Sequence, residues 1–204
     1  MTARSKGPEK ATLGVRSHSG WAAYVVLAGN AEAPDILARG RMTLCDPAIP
    51  GSKQPFHEAE PMPFAQAQKY IARCTASSAK LATKAIAALG HDISACCVLT
   101  ASGRPLPDLK GILASHANIH AAEGEFYRDA VAHACAKQNI AVRRVRERDM
   151  EAELQTLPIS VNAAKAKLAE FGKALGSPWT ADEKLSALGA WLLLAALPSR
   201  AARR

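Results

Sequence analysis

Apolar residues first recur as two dense runs, L-G-V from Leu13 and W-A-A-Y-V-V-L-A-G from Trp21, joined by the polar patch R-S-H-S-G. The density of β-branched and apolar residues predicts one long strand from Thr12, with Gly20 marking a bulge or a close backbone approach. The turn from Gly29 to Pro34 leads into D-I-L-A-R-G-R-M-T-L-C, a second strand carrying Arg39 and Arg41 at alternate positions. Residues 46–63 hold five prolines and read as a long loop with a short extended piece, of the kind that is functional or mobile. Ala67, Tyr70, Ile71, Cys74, Leu81, Ala85 and Ile86 then recur at helical spacing, and I-S-A-C-C-V-L-T-A from Ile93 is a buried strand.

The turn S-G-R-P-L-P from Ser102 precedes a helical pattern over 108–138, with Gly124 its weak point. I-A-V-R-R-V-R-E-R from Ile140 is a strand, and two amphipathic helical segments follow at 149–155 and 161–175. The last helix opens at T-A-D-E from Thr180, a capping box, and is apolar nearly all round as far as Pro198. An antiparallel hairpin followed by strand–helix alternation predicts an α/β fold with a mixed sheet and helices packed on it.

Composition changes this picture little. Apolar residues make up 49% and aromatics 5%, which suits an Ala/Leu-rich α/β chain and excludes collagen, wholesale disorder and a disulfide scaffold. Charge matters more. The net +8 is uneven: residues 1–10 carry +2, the last five +3, and the body 11–199 only +3. The expected organisation is a disordered basic arm over 1–10, one domain over 11–198 and a basic tail over 199–204. Inside the body the one basic cluster is Arg143, Arg144, Arg146 and Arg148, read either as a solvated strand end or as a phosphate-contact surface. Five cysteines without a C-x-x-C, and Cys96-Cys97 pointing to opposite faces of a strand, argue against structural zinc and for free thiols in a reducing cytoplasm. The first ten residues lack the apolar core of a signal peptide, and the 13-residue apolar run 185–197 is too short to span a bilayer. No membrane association is expected; a homodimer through exposed Leu or Trp on the last helix is an open reading.

Candidate chemistry concentrates in two places. His116, His120, Glu123 and Tyr127 share one helix face. The H-x-x-x-H spacing suits a transition metal held with Glu123, but Ala117 stands where a zincin motif has its glutamate. The same residues also read as a plain polar face or as the lining of a metal-free pocket. Arg16 and His18 interrupt an apolar strand, either as a solvated turn or as partners of Glu123, Glu125 or Asp182 in an anion site to which Arg128 and Lys184 add charge. His18 is a candidate general base. Trp21 and Trp179 are candidates to stack a base, Trp191 reads as core, and His57, Glu58 and Glu60 read as a solvent loop or a lid.

Three stretches carry a family resemblance: L-G-V-R-S-H-S-G-W-A from Leu13, H-A-A-E-G-E-F-Y-R-D from His120, and P-W-T-A-D-E-K-L-S-A-L-G-A-W-L from Pro178. Together, over roughly residues 12–197, the chain resembles the ribonuclease H-like superfamily, in particular its crossover-junction resolvase branch. The resemblance implies a two-metal phosphodiesterase on nucleic acid, with Mg²⁺ or Mn²⁺ held by converging carboxylates. It places the middle acid at Glu123 or Glu125 and the last at Asp182 or Glu183; joined with the reading of the residues above, the expected metal set is Glu123, Asp182 and His120, with Arg143, Arg144 and Arg146 on the phosphate backbone. The first-strand acid is absent; Arg16, Ser17 and His18 stand there, and arginine adds positive charge where two dications need negative. The expectation is therefore a metal-dependent phosphodiesterase with a rearranged carboxylate set. The alternative is a noncatalytic relative whose Arg/His/Glu pocket binds an anion, nucleic acid or a protein.

Overall fold

The computed structural model describes residues 10–101 and 105–197. The predicted basic tail, all but the last residue of the basic arm, and the turn at 102–104 lie outside them. The first predicted strand is in fact two. β1 (Ala11–His18) and β2 (Trp21–Asn30) form an antiparallel pair closed by Ser19 and Gly20, with His18 opposite Trp21. Gly20 takes φ +86°, a left-handed conformation open to glycine, so the polar patch becomes a tight turn instead of a bulge. β3 (Ala33–Thr43) extends the meander antiparallel to β2.

The proline-rich loop holds a short helix where an extended piece was expected. It is α1 (Pro55–Ala59), with proline in its first turn, where no backbone donor is missed. α2 (Phe64–Ala87) leads to β4 (Ile93–Thr100), which runs parallel to β1. The helix predicted over 108–138 divides into α3 (Leu109–Leu113) and α4 (His116–Lys137). The break falls at Ser115, which is extended, and Gly124 lies inside an unbroken α4. β5 (Ala141–Arg146) pairs parallel with β4 and ends in a 3-10 turn, Glu147–Asp149. α5 (Met150–Leu154), α6 (Val161–Leu175) and α7 (Ala181–Ala196) complete the chain, and α7 starts on the predicted capping box. The sheet order is β3-β2-β1-β4-β5.

Alternation along the strands divides the core between the two faces of the sheet. Leu13, Val15, Cys96 and Val98 pack with Val131, Ala134 and Cys135 of α4 and Ile86 of α2. Val25, Leu27, Cys97 and Leu99 pack with Leu188, Trp191 and Leu192 of α7 and with Leu168 and Phe171 of α6. Cys96 and Cys97 thus face opposite layers. The apolar surface of α7 is covered on every side, Ser186 through Leu194 being buried. That removes the exposed Leu and Trp face on which a homodimer was reasoned. Among the described residues no helix is long and apolar enough to cross a membrane.

α7 rests directly on the β1 backbone. A Cβ on Gly14 would collide with Ser186 O and lie 2.8 Å from Ala190 N. The polar groups caught in this contact are satisfied: Thr12 Oγ donates to Ala190 O at 2.8 Å and Ser186 Oγ to Ala23 O at 3.3 Å. Gly14→Ala forces two backbones apart, so we expect a loss of about 3 kcal/mol or more of unfolding free energy, at the upper end of overpacking costs. A urea midpoint close to wild type would show that α7 does not sit this tightly.

Candidate functional site

At the C-terminal end of β1, the first turn of α7 and the 3-10 turn that follows β5 converge on Arg16 along one edge of the sheet. On β1 the even positions face α7, so Gly14 makes the backbone contact and Arg16 and His18 continue the same face beyond it. Arg16 forms a two-pronged pair with Glu147, Nε to Oε1 at 3.0 Å and Nη2 to Oε2 at 2.8 Å. Its Nη1 also donates to Asp182 Oδ1, and His18 Nε2 lies 3.0 Å from the same oxygen. Burial pushes the Asp182 carboxyl up, but the bonds from Arg16 and His18 outweigh it and hold the group below its ordinary value. Glu147, the strongest influence, raises Arg16 above the usual guanidinium value. His18 stacks on Trp21 with ring centroids 4.4 Å apart, and the Arg41 guanidinium lies 4.1 Å from the Trp21 ring. The edge therefore carries a cation held between two carboxylates, next to a cation–aromatic stack.

The other predicted residues fall elsewhere. Glu125 bridges two arginines, Arg128 at 2.8 Å and Arg144 at 3.0 Å, and Arg144 also pairs with Asp129. Arg128 is buried, its Nε donating to Leu99 O at the end of β4. Arg143 is clasped by Glu153 at 2.7 Å and Arg146 by Asp149. The basic run on β5 is thus interleaved with acids from the neighbouring helices. Lys184 lines a shallow groove with Lys165, Lys173, Gly176 and Trp179. Trp179 spends its indole N–H on Leu168 O at 2.8 Å.

Glu123 lies apart from the strand ends. It is buried on α4, and its Oε1 accepts the backbone N–H groups of Phe56 at 2.8 Å and His57 at 3.0 Å. These are donors of the first turn of α1, whose own N-cap, Gln54, supplies no side-chain bond. Glu123 therefore caps α1 from another helix. The same oxygen lies 3.2 Å from His57 Nδ1, while Oε2 is buried without a partner. Burial raises the Glu123 carboxyl above its ordinary value, with the bonds from His57 and Phe56 pulling against it. One turn on, Tyr127 donates its hydroxyl to Ser52 O at 2.6 Å. Glu123 and Tyr127 of the α4 stripe thus hold the proline-rich segment.

No protein-family model matches the sequence, and no curated protein matches it. Solved structures do resemble it. RuvC of T. thermophilus in complex with a Holliday junction substrate superposes with a TM-score of 0.53 at 11% identity, over 91% of this chain and 93% of that one. The chain has a ribonuclease H-like fold. A second Thermus thermophilus RuvC structure gives a TM-score of 0.49 at 11% identity, over 89% and 91% of the two chains.

A ribonuclease H-like nuclease of this branch is expected to hold divalent cations at the strand ends, and the donor set here does not fit a pair of them. Asp182 and Glu147 are already bound to one guanidinium, which would sit among the dications. Glu123 and Glu125 point their carboxylates at other partners. Among the described residues Glu123, Asp182 and His120 form no cluster with ligand atoms within 4.8 Å; the cluster that does is His57, His116 and His120. Sequence reasoning missed Glu147 and the role of His57. Glu147 follows the arginine-rich strand and reads there as one more solvated charge. His57 is made significant only by the fold of a proline-rich loop.

Because the folded Asp182 carboxyl titrates below its unfolded value, its ion pairs stabilise the fold above the ordinary aspartate pKa of about 3.9, and that contribution is lost as pH falls through the folded value. Asp182→Asn should cost about 1–3 kcal/mol at pH 7. The gap from wild type should be full above about pH 4 and narrow as pH falls from there through the folded value. Urea midpoints compared across that range measure this, and a gap independent of pH would refute the ion-pair assignment.

Proposed function

We propose that this chain binds nucleic acid along the strand-end edge of its nuclease-like fold, with Arg16 taking the place that metal ions hold in a two-metal nuclease. One observation carries the reading: the Arg16 guanidinium lies between Glu147 and Asp182, where the resemblance calls for an acid on the first strand. The likeness to a resolvase whose structure contains a Holliday junction, over nine-tenths of the chain, supports a nucleic-acid ligand. So do the net charge of +8 and the Arg41, Trp21 and His18 stack beside the edge. His18 and Arg41 lie against the Trp21 ring, so an unpaired base stacks there by displacing one of them, with the freed cation meeting the phosphate next to it. Lys165, Lys173 and Lys184 offer backbone contacts in the adjoining groove. Arg143, Arg144 and Arg146 contribute only by exchanging a carboxylate partner for a phosphate. The thiols of all five cysteines are free, which fits a cytoplasmic site of action.

The phosphodiesterase reading requires Arg16 to release Asp182 and Glu147 to Mg²⁺ or Mn²⁺, so one assay separates the two. Labelled four-way junction, duplex and single-stranded oligonucleotides are titrated with protein over a salt series, with and without each cation. We expect binding that weakens steeply and log-linearly with salt, and intact oligonucleotides throughout. Trp21→Ala should weaken single-strand binding roughly fivefold to a hundredfold if one base stacks there. Failure to bind at low salt would overturn the reading. Mg²⁺- or Mn²⁺-dependent cleavage that disappears in Asp182→Asn would replace it with the phosphodiesterase.

A further inference from the structure

Three of the chain's six histidines converge where nothing in the nucleic-acid reading needs them. His116 and His120 stand one turn apart at the start of α4, exposed, with their Nε2 atoms 3.0 Å from each other. His57 comes from α1, far away in sequence, and its ring centroid lies 4.8 Å from that of His120 and 5.6 Å from that of His116. One ring nitrogen from each histidine falls within 4.8 Å of the other two. We propose that His57, His116 and His120 bind a single divalent transition-metal ion of the zinc class, with Glu123 as the positioning residue behind His57.

The chemistry of each donor supports this. Oε1 of Glu123 only accepts in its bonds to the Phe56 and His57 backbone, so the His57 Nδ1 beside it carries a proton and donates. That fixes the tautomer and leaves the Nε2 lone pair free, the carboxylate–histidine arrangement that orients imidazole ligands at metal sites. His116 and His120 share one hydrogen bond between Nε2 atoms, which a metal would replace with two nitrogen–metal bonds. Tetrahedral zinc with nitrogens at 2.0–2.1 Å sets neighbouring donors about 3.3 Å apart, a few tenths of an ångström beyond the present separation. Three imidazoles leave the fourth position to water or to an anionic oxygen ligand. Nitrogen donors select zinc, cobalt, nickel or copper over magnesium, so the ion differs from the Mg²⁺ or Mn²⁺ that the resemblance implies. The H-x-x-x-H pair read from the sequence, His116 and His120, belongs to this set, while Glu123 stands behind His57 and Asp182 lies elsewhere. The ion would tie α1 and its proline-rich segment to α4. This site is independent of the nucleic-acid reading and survives its failure.

The test uses tag-free, metal-stripped full chain, titrated with Zn²⁺ by calorimetry and with Co²⁺ by visible absorption, with Mg²⁺ as control. We expect one ion per chain, ligand-field bands from Co²⁺ in a tetrahedral nitrogen site, and a higher melting temperature with Zn²⁺ but not with Mg²⁺. The His116→Ala/His120→Ala double variant alters exposed side chains and should fold normally while losing saturable binding. Glu123→Gln, which keeps an acceptor for the α1 cap, should weaken Zn²⁺ about tenfold to a hundredfold. The proposal fails if Zn²⁺ and Co²⁺ do not bind saturably. It also fails if the double variant binds them as tightly as wild type.

Discussion

The seating of α7 on the backbone of β1 is the contact on which the candidate site depends. Glycine at position 14 lets the helix approach until Ala190 N lies within 2.8 Å of where a side chain would begin. At that distance every buried polar group at the contact needs a partner, and Thr12 and Ser186 supply them across the interface. Two residues further along the same strand face, the helix has reached its first turn, which brings Asp182 over Arg16 and His18. The capping box fixes where that turn starts, with Thr180 and Glu183 bonded reciprocally. Arg39 of β3 pins the connection into it, donating to Leu175 O and Gly176 O at 3.1 Å and to Glu183 at 3.3 Å. Core packing and site geometry are therefore one problem here, because the residues that set the helix height also set the position of its acid.

Much of this was readable from residue order. Period-two and helical spacing identified the meander, β4, β5 and the last helix, since each is long, apolar on a face and bounded by turn residues. The run R-S-H-S-G was not readable as a turn, because Gly20 signals a bulge and a tight hairpin alike and only pairing across the sheet separates them. The break at Ser115 was equally silent: serine is tolerated inside a helix and favoured at its start, and the polar stripe continues on both sides. The short helix α1 was hidden by its prolines. Its stability is borrowed from Glu123, a residue 66 positions away from His57, and local propensity cannot show that.

The site was legible in the same uneven way. Arg16 and His18 stood out because polar residues within an apolar strand must find partners, and Asp182 because it opens a buried helix. Their common partner Glu147 did not, since a glutamate among arginines looks like ordinary surface compensation. The stripe on α4 read as a metal set, a plain polar face or a pocket lining, and within it Glu123 and Tyr127 bond to the loop, not to the strand ends. Glu123 had been grouped with Asp182 by analogy of fold. The structure instead gives each carboxylate its own cationic or N–H partners, which burial requires of a charge.

The charges at the strand ends are satisfied by one another. A two-metal centre gathers acids that repel one another, and the dications hold them together. Here two acids share one guanidinium, with His18 on the second acid, so the local charge is already close to balance. Arginine is also a better fit than lysine for this task, because its planar fork meets Glu147 with two parallel bonds and still reaches Asp182. The one imidazole cluster with ligand geometry among the described residues sits between α1 and α4, outside that balance. Among the described residues, the groups placed to hold an ion without giving up an existing ion pair are therefore those between α1 and α4.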